Sequence, residues 1–341
     1  MSNFRTLSIG LAVLGLMGGT ALAAWFGFAP IGKAILSVGG GGFSLFCAWQ
    51  ITTMAILGFG WWIVAPASNR RLPALIWGRM VRDSAGCCLP FSQVGGFLLG
   101  ARAASLQGLS WGVVTISMVV DLTAEFISEL LFAAAGLLVL LHRMSDGSKT
   151  LPLAAAIAAA LGLGYAVFRL HGKVLPVLVR FGERVLGDWA QARAAPEPRR
   201  SGAQASYHVL GLTGVSTEDL AGLYSQSGKL AAATAVHAGG WVAKGIGNWL
   251  AFRLLGADLS LLDALAIEGL LHALLIPAFI VPGYAGVQEA GYAGLGALFG
   301  LSPEISIGVS LLRRARDIAI GIPILLVWQV CEMRKLRVHQ G

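Results

Sequence analysis

The stretch "VPGYAGVQEAGYAGLGALFGLS" (Val281–Ser302) lies between two long apolar segments, Leu261–Val281 and Ile305–Val330. It contains one proline, six glycines and the charged residue Glu289, where a membrane helix normally carries Leu, Ile and Val. Backbone that leaves helical geometry in hydrocarbon needs hydrogen-bond partners from protein or water, so such a break lines a cavity. The stretch therefore predicts a helix interruption inside a membrane. The residues that indicate the interruption are Pro282, Gly283 and Gly286.

The composition of the chain agrees with a membrane environment. Hydrophobic residues make up 56% of the sequence and charged residues 12%, and the mean hydropathy is +0.73. Soluble domains contain roughly 25% charged residues. The apolar runs are apolar on every face, which excludes the alternating pattern of a membrane β-barrel. The sequence predicts one all-α polytopic membrane domain over residues 1–341. Its apolar spans are expected near Leu7–Phe28, Phe43–Val64, Gly112–Leu141, Leu151–Leu170, Leu230–Leu255, Leu261–Val281 and Ile305–Val330.

Two local features of the sequence have plain interpretations. The "ALA" at residues 21–23 resembles a signal-peptidase site, but the apolar run continues beyond it, so we expect an uncleaved first span within residues 1–64. The cysteines show no C-x-x-C pair, which argues against a metal site or structural disulfides. They are Cys47, Cys87, Cys88 and Cys331.

Basic residues predict the topology. Clusters of Arg and Lys follow the spans that end at Val64, Leu170 and Val330, and the positive-inside rule places all three clusters in the cytoplasm. The first cluster is Arg70, Arg71, Arg79 and Arg82. This placement leaves no complete crossing for residues 72–107 or 261–299, so both are expected to be re-entrant hairpins. About six crossings remain, with both termini cytoplasmic.

The two hairpins resemble each other in sequence. "LPFSQVGGFLLGARAASLQGLS" (Leu89–Ser110) and the stretch quoted first share a proline and, after the same interval, Gly-Leu-Ser. At this offset of 192 positions, from Ser110 to Ser302, Glu125 falls on Asp317. The predicted topology puts the copies in opposite orientations. We therefore expect an inverted repeat of units 72–141 and 261–330, a design that places transport sites near the bilayer midplane. The first break is expected at Pro90, Gly95 and Gly96.

Acidic residues recur on one helical face. Asp121, Glu125 and Glu129 are spaced i, i+4, i+8, and each costs roughly 2.5–3.5 kcal/mol unpaired at the bilayer centre. They are expected to face protein, water or basic partners on the first hairpin and the last span. Two interpretations stay open, namely ion pairs that only hold helices together, or a polar cavity for the headgroup of an amphiphile. The candidate cavity residues are Arg102, Asp121, Glu125, Glu129, Glu268, His272, Glu289, Arg313, Arg316 and Asp317, with Arg314 as a further cation.

The sequence between the spans carries no enzyme signature. Lys173–Trp189 has the spacing of an amphipathic interfacial helix, and Ala190–Ser206 has the composition of a linker, both within a cytoplasmic segment 171–228. P-loop and H-E-x-x-H motifs do not occur. G-x-S-x-G occurs once, at residues 108–112, but in an all-α chain it lacks the strand-to-helix turn that a nucleophilic serine needs. Neither a catalytic domain nor a cofactor is expected.

Four motifs together resemble a known family. They are "LPFSQVGGFLLGARAASLQG", "MVVDLTAEF", "GGWVAKGIGNWLAFRLLG" and "PGYAGVQEAGYAGLGALFGLSPE". The chain from about Phe43 to Val330 resembles the lysylphosphatidylglycerol synthetase transmembrane (flippase-domain) superfamily, and within it the hopanoid-biosynthesis-associated membrane proteins of bacteria. This resemblance implies movement of a lipid, with hopanoids as the class, at the inner membrane.

Two function classes follow. The first is a flippase-like lipid transporter, and the second is an intramembrane lipid-modifying enzyme that uses Glu268, His272 and Glu289 as acid/base groups. We favour transport, with a membrane lipid as the partner. The net charge of +8 needs no nucleic acid, because a basic face toward anionic headgroups accounts for it. The sequence leaves open the exact lipid, the direction and energy source of transport, and whether the protein forms a homo-oligomer.

Overall fold

A computed structural model describes residues 28–67, 70–89, 92–143, 162, 226–278 and 281–338. Its regular structure in these ranges is helical throughout. Eight α-helices are α1 (Phe28–Val64), α2 (Leu72–Cys88), α3 (Ser92–Leu106), α4 (Trp111–Arg143), α5 (Ser227–Leu254), α6 (Leu261–Leu275), α7 (Val287–Leu298) and α8 (Pro303–Val338). Two short 3-10 helices, Ile276–Ala278 and Pro282–Tyr284, lie between α6 and α7.

Several predicted elements fall outside these ranges. The first predicted span, the span near Leu151–Leu170, the interfacial helix and the linker are not described by the structure, apart from Phe28 and Gly162. These elements stay predictions.

Three of the described helices are long and apolar enough to cross a membrane, which confirms an all-helical membrane protein. They are Leu36–Val64, Trp111–Arg143 and Leu261–Ala278. The 28 residues of α5 and the 36 of α8 would extend about 42 and 54 Å, but α8 carries four charged residues from Arg313 to Asp317. The number of crossings therefore stays a prediction.

The first predicted hairpin consists of α2 and α3. With 17 and 15 residues they extend about 26 and 23 Å, less than the roughly 30 Å of a hydrocarbon core. Helix α2 ends where Leu89 becomes extended (φ −104°, ψ 147°). Leu89 precedes a proline, and that position disfavours helical geometry. The predicted break residues Gly95 and Gly96 lie inside α3 instead. Gly96 has a packing role there, because an added Cβ would lie 2.6 Å from the carbonyl oxygen of Arg82.

The second break lies between α6 and α7, in the stretch where the sequence places it. Gly283, Tyr284 and Gly286 have φ angles of 55°, 55° and 79°. This left-handed region suits glycine, whereas it is unfavourable for residues with a Cβ such as Tyr284. The chain thus reverses from α6 into α7 through two 3-10 turns and three positive φ angles.

Helix lengths in the first half recur in the second half. Adding 192 to the bounds of α2, α3 and α4 gives 264–280, 284–298 and 303–335, against 261–278, 287–298 and 303–338 observed. Gly108 and Gly300, also 192 apart, both have positive φ angles of 93° and 78°. Helix α1 ends at Val64, and adding 192 to this bound gives 256. Helix α5 ends close to that position, at Leu254. We call α1–α4 and α5–α8 the two units, each with one helix more than the sequence predicts. That they form an inverted repeat stays a prediction.

Contacts between the units are reciprocal. Helix α4 packs on α6, and the corresponding pair α8 and α2 also pack together. In the same way, α4 packs on α5 and α8 packs on α1. Helices α1 and α5, which correspond to each other, are also in contact. This pattern is what a two-fold axis between the units produces. Helices α1 and α5 run antiparallel, since Trp49 donates to the carbonyl of Ala243 at 2.7 Å whereas Gly60, further along α1, lies against His237, earlier on α5.

Helices α4 and α6 also run antiparallel and lie very close together. A Cβ added at Gly136 would lie 2.9 Å from the carbonyl oxygen of Ala266, and one at Gly269 would lie 2.8 Å from that of Phe132. Small residues permit this approach of two backbones in a membrane. Charged side chains on α4 and α6 are thereby held in fixed positions in the interior.

Candidate functional site

The first group of interior charges, here the α2–α4 cluster, consists of Arg79, Arg82, Asp83, Asp121, Glu125 and His237. Glu125 is its centre. Its carboxylate accepts from Arg79 at 2.6 and 2.9 Å and from Arg82 at 2.5 Å. Arg79 also donates to Asp83 at 2.9 Å. Arg79 and Arg82 are only 2% and 5% exposed, so these ion pairs are shielded from solvent. Such charge-assisted, two-pronged contacts are the strong ones.

Asp121 joins this cluster to α5. Its side chain is fully buried, 3.4 Å from Nη1 of Arg82 and 2.7 Å from Nε2 of the fully buried His237. One turn before it, Ser117 accepts a hydrogen bond from Trp61 of α1 at 3.0 Å. The acidic face of α4 is thus bound by three different helices.

The second group, here the α6–α8 cluster, consists of Glu268, His272, Tyr292 and Arg313. Nη1 of Arg313 lies 2.7 and 2.9 Å from the two carboxylate oxygens of Glu268 and donates to the hydroxyl of Tyr292 at 2.9 Å. His272 has Nε2 3.2 Å from Glu268 and Nδ1 3.4 Å from Glu129 of α4. The imidazole therefore connects the α6–α8 cluster to Glu129 on the acidic face of α4.

Glu289 lies at the second break. Its carboxylate accepts from the backbone N–H of Gly286 at 2.8 Å, which caps the start of α7. It also accepts from Arg314 at 2.9 Å and from Ser310 at 3.1 Å. Arg314 in turn donates to the carbonyl of Gly283. The charge in the quoted stretch satisfies the backbone that leaves helical geometry there.

The other predicted site residues lie in separate pairs. Arg102 of α3 donates to Glu332 of α8 at 2.7 and 3.0 Å and does not reach the acidic face of α4. Arg316 donates to its neighbour Asp317 at 2.7 Å. The predicted residues therefore do not converge on one point. They form a layer of ion pairs through the helix bundle.

The orientation inferred from Arg79 and Arg82 as cytoplasmic topology signals stays a prediction, but the structure shows a second role for both residues. Both are buried in α2 and supply the partners of Glu125, a role we expected from other arginines. His237 and Tyr292 were also missed. A signal existed for the arginines, because residues i and i+3 share a helix face and a re-entrant segment brings that face to the bilayer interior. The burial of His237 has no comparable signal in the sequence.

The three proposed acid/base groups do not form one site. Glu268 and His272 belong to the α6–α8 cluster, whereas the Glu289 carboxylate is occupied by Gly286, Arg314 and Ser310. Within the described ranges, no three His, Cys, Asp or Glu side chains are arranged to hold a metal ion, and the four cysteines are free.

A cavity of about 490 Å³ opens at one end of the bundle, where α4 ends and α6 begins. Two half-exposed ion pairs lie in its wall, Arg143 with Asp263 at 2.7 Å and Arg253 with Asp258 at 2.5 Å. The lining residues are Arg143, Trp249, Arg253, Asp258, Leu259, Ser260, Leu261, Asp263, Phe299, Gly300 and Leu301. The cavity offers both cations and carboxylates beside apolar side chains.

These features define an all-helical membrane protein whose interior charges are paired across helices. The chain matches the family described as "Lysylphosphatidylglycerol synthase TM region" over residues 7–324. It belongs to this family, which indicates a membrane function related to lipids. No curated protein and no solved structure matches the chain.

Proposed function

We propose that the protein is a flippase-like translocase that moves an amphiphilic lipid, of the hopanoid class, across the bacterial inner membrane. The observation that supports this most is the reciprocal packing of the two four-helix units, with α1 antiparallel to α5. A two-fold axis perpendicular to antiparallel helices lies in the membrane plane, as in transporters with inverted repeats. Six crossings and cytoplasmic termini are part of the proposal.

The two hairpins would enter from opposite faces and meet in the interior. The 3-10 turn at Pro282–Tyr284 contacts α2 of the other unit, and the thiol of Cys88, at the end of α2, lies 3.6 Å from the carbonyl of Asp317 on α8. Both breaks therefore adjoin the layer of ion pairs. A headgroup that passes between the hairpins would exchange hydration for these charges while its tail stays in lipid.

The end cavity would be the entry site for the headgroup. Its arginines are paired but half exposed, with side-chain exposures of 49% for Arg143 and 46% for Arg253. Exposed ion pairs are weak, so a ligand with its own charges can replace them. On the predicted topology this cavity faces the periplasm, opposite Arg70 and Arg71.

Reconstitution tests the activity. Purified protein is placed in liposomes that carry a fluorescent phospholipid, and dithionite then reports its movement between leaflets. We expect movement with the lipid chemically unchanged by mass spectrometry. Arg143→Gln combined with Arg253→Gln should slow it about tenfold or more, whereas Arg334→Gln, an exposed arginine outside the cavity, should not. A new lipid species without movement would contradict transport.

The same assay tests whether the substrate is a hopanoid. A bacteriohopanepolyol added to the liposomes should slow the reporter lipid by competition. If the reporter lipid moves at the same rate with and without the bacteriohopanepolyol, hopanoids are excluded as the substrate. The proposal of lipid translocation would not be affected.

Cysteine labelling tests the topology. Ser110 and Ser302 are exposed, are 192 positions apart and follow the two hairpins. In a background without the four native cysteines, a membrane-impermeant maleimide should label Ser302→Cys in intact spheroplasts and Ser110→Cys only after lysis. Labelling of both from the same side would disprove the opposed arrangement.

A further inference from the structure

His237 has an unusual environment for a histidine in a membrane protein. It is fully buried on α5, and its Nε2 lies 2.7 Å from Oδ1 of Asp121. A carboxylate only accepts hydrogen bonds, so Nε2 carries the proton and donates it to Asp121. The other nitrogen, Nδ1, has no hydrogen-bond partner among the described residues. A lone pair is thus held in the interior, available to accept a proton.

The charges around His237 are not balanced. The two clusters and Glu129, with Lys244 of α5 beside them, contain four permanent cations and five carboxylates when both histidines are neutral. The cations are Arg79, Arg82, Lys244 and Arg313, and the carboxylates are Asp83, Asp121, Glu125, Glu129 and Glu268. The other interior charges on α8 pair one to one, Arg314 with Glu289 and Arg316 with Asp317. Among the described side chains of these clusters, one negative charge is therefore in excess, and one proton on either histidine neutralises it.

His272 has partners at both ring nitrogens. Its Nε2 lies 3.2 Å from Oε1 of Glu268 and 3.3 Å from Nη2 of Arg313, and its Nδ1 lies 3.4 Å from Glu129. His237 differs, because its Nδ1 has no hydrogen-bond partner among the described residues. Around His237, the cations Arg79 and Arg82 are already bound to Glu125, and Gly60 of α1 lies close to the ring.

We infer that His237 is a proton-binding site, which takes up H⁺ at Nδ1 and releases it, and that its occupancy is coupled to lipid movement. The coupling rests on the proposed translocase function, whereas the site itself does not. Proton uptake makes the ring an imidazolium whose Nε2–H still donates to Asp121. The paired clusters are then electrically neutral, and release of the proton restores one negative charge between the hairpins.

Infrared spectroscopy of the purified protein with isotope-labelled histidine tests the site directly. Spectra recorded from pH 9 to pH 5 should contain an imidazolium component that His237→Gln lacks and that His142→Gln, an exposed histidine at the end of α4, retains. Asp121→Asn should lower the proton affinity of this component about tenfold or more. Asp121→Asn therefore also tests the inference if His237→Gln fails to fold. A His237 ring that does not titrate between pH 5 and pH 9 would overturn the inference.

Liposomes with an imposed pH gradient test the coupling. Net accumulation of the reporter lipid in one leaflet should follow the direction of the gradient in the wild type and be lost in His237→Gln. Lipid movement that ignores the gradient, in a protein whose His237 titrates, would overturn the coupling. No lipid movement under any condition would refute the translocase proposal, while the infrared component would still decide the proton site.

Discussion

Replacement of Glu125 by glutamine is the most direct test of the interior ion pairs. The carboxylate receives three short hydrogen bonds from Arg79 and Arg82, between 2.5 and 2.9 Å. In Glu125→Gln the amide oxygen can still accept, but the amide NH₂ faces a guanidinium and the negative charge is gone. Breaking a buried pair by removing one partner costs about 3–5 kcal/mol, because the remaining charge is buried without compensation. Asp83 and Asp121 retain part of the compensation, so we expect about 3 kcal/mol, which is roughly a hundredfold in the unfolding equilibrium.

Reversible unfolding in mixed micelles with increasing SDS, followed by circular dichroism, measures this free energy. Glu304→Gln is the matched control, because Glu304 is exposed at the start of α8, and it should unfold like the wild type. Combining Glu125→Gln with Arg79→Gln should cost less than the sum of the single changes, since the double variant leaves fewer unpaired charges. If Glu125→Gln costs less than about 1 kcal/mol, as exposed pairs do, the cluster contributes little to stability and the reasoning from its geometry fails.

The other predictions use the same unfolding assay. Gly60→Ala should destabilise the protein by about 1–3 kcal/mol, because the new Cβ would lie 2.8 Å from the buried ring of His237, whereas Gly239→Ala, with open space around it, should be neutral or slightly stabilising. Equal effects at these two positions would contradict the packing of α1 on α5. Gly286→Ala should cost roughly 1–2 kcal/mol, since the φ of 79° disfavours a Cβ although no atom lies near it. An unchanged stability there would mean that the break has another conformation. The pair Arg102–Glu332 should show a coupling of about 1–2 kcal/mol in a double-mutant cycle, and additive effects would disprove the contact.

The sequence was sufficient to predict that the helices are interrupted after Cys88 and around Gly283, although Gly95 and Gly96 lie inside α3. Proline and glycine act on the backbone locally, so the breaks after Cys88 and around Gly283 follow from residue type alone. The inverted repeat inferred from the offset of 192 positions stays a prediction. The sequence did not predict that α1 and α5 belong to the two units, because these helices share no sequence motif.

Partners of the interior charges could not be predicted in the same way. The acidic face of α4 follows from the i, i+4 spacing, but its partners depend on how α2 is rotated against α4. Arg79 was assigned to the cytoplasm because an arginine after a span usually marks that side. Burial beside Glu125 depends on the depth of the hairpin, which is a property of the assembled bundle.

The two units carry opposite charge at corresponding places, and this has an electrical consequence. Helices α2 and α8, which pack together, are net basic in the interior, through residues such as Arg79 and Arg313, while α4 and α6, which also pack together, are net acidic, through residues such as Glu125 and Glu268. On the proposed topology the bundle would have a transverse electric field, parallel to the membrane plane and pointing from the α2–α8 side to the α4–α6 side. A zwitterion between the hairpins would be turned so that its anion faces α2 and α8 and its cation faces α4 and α6.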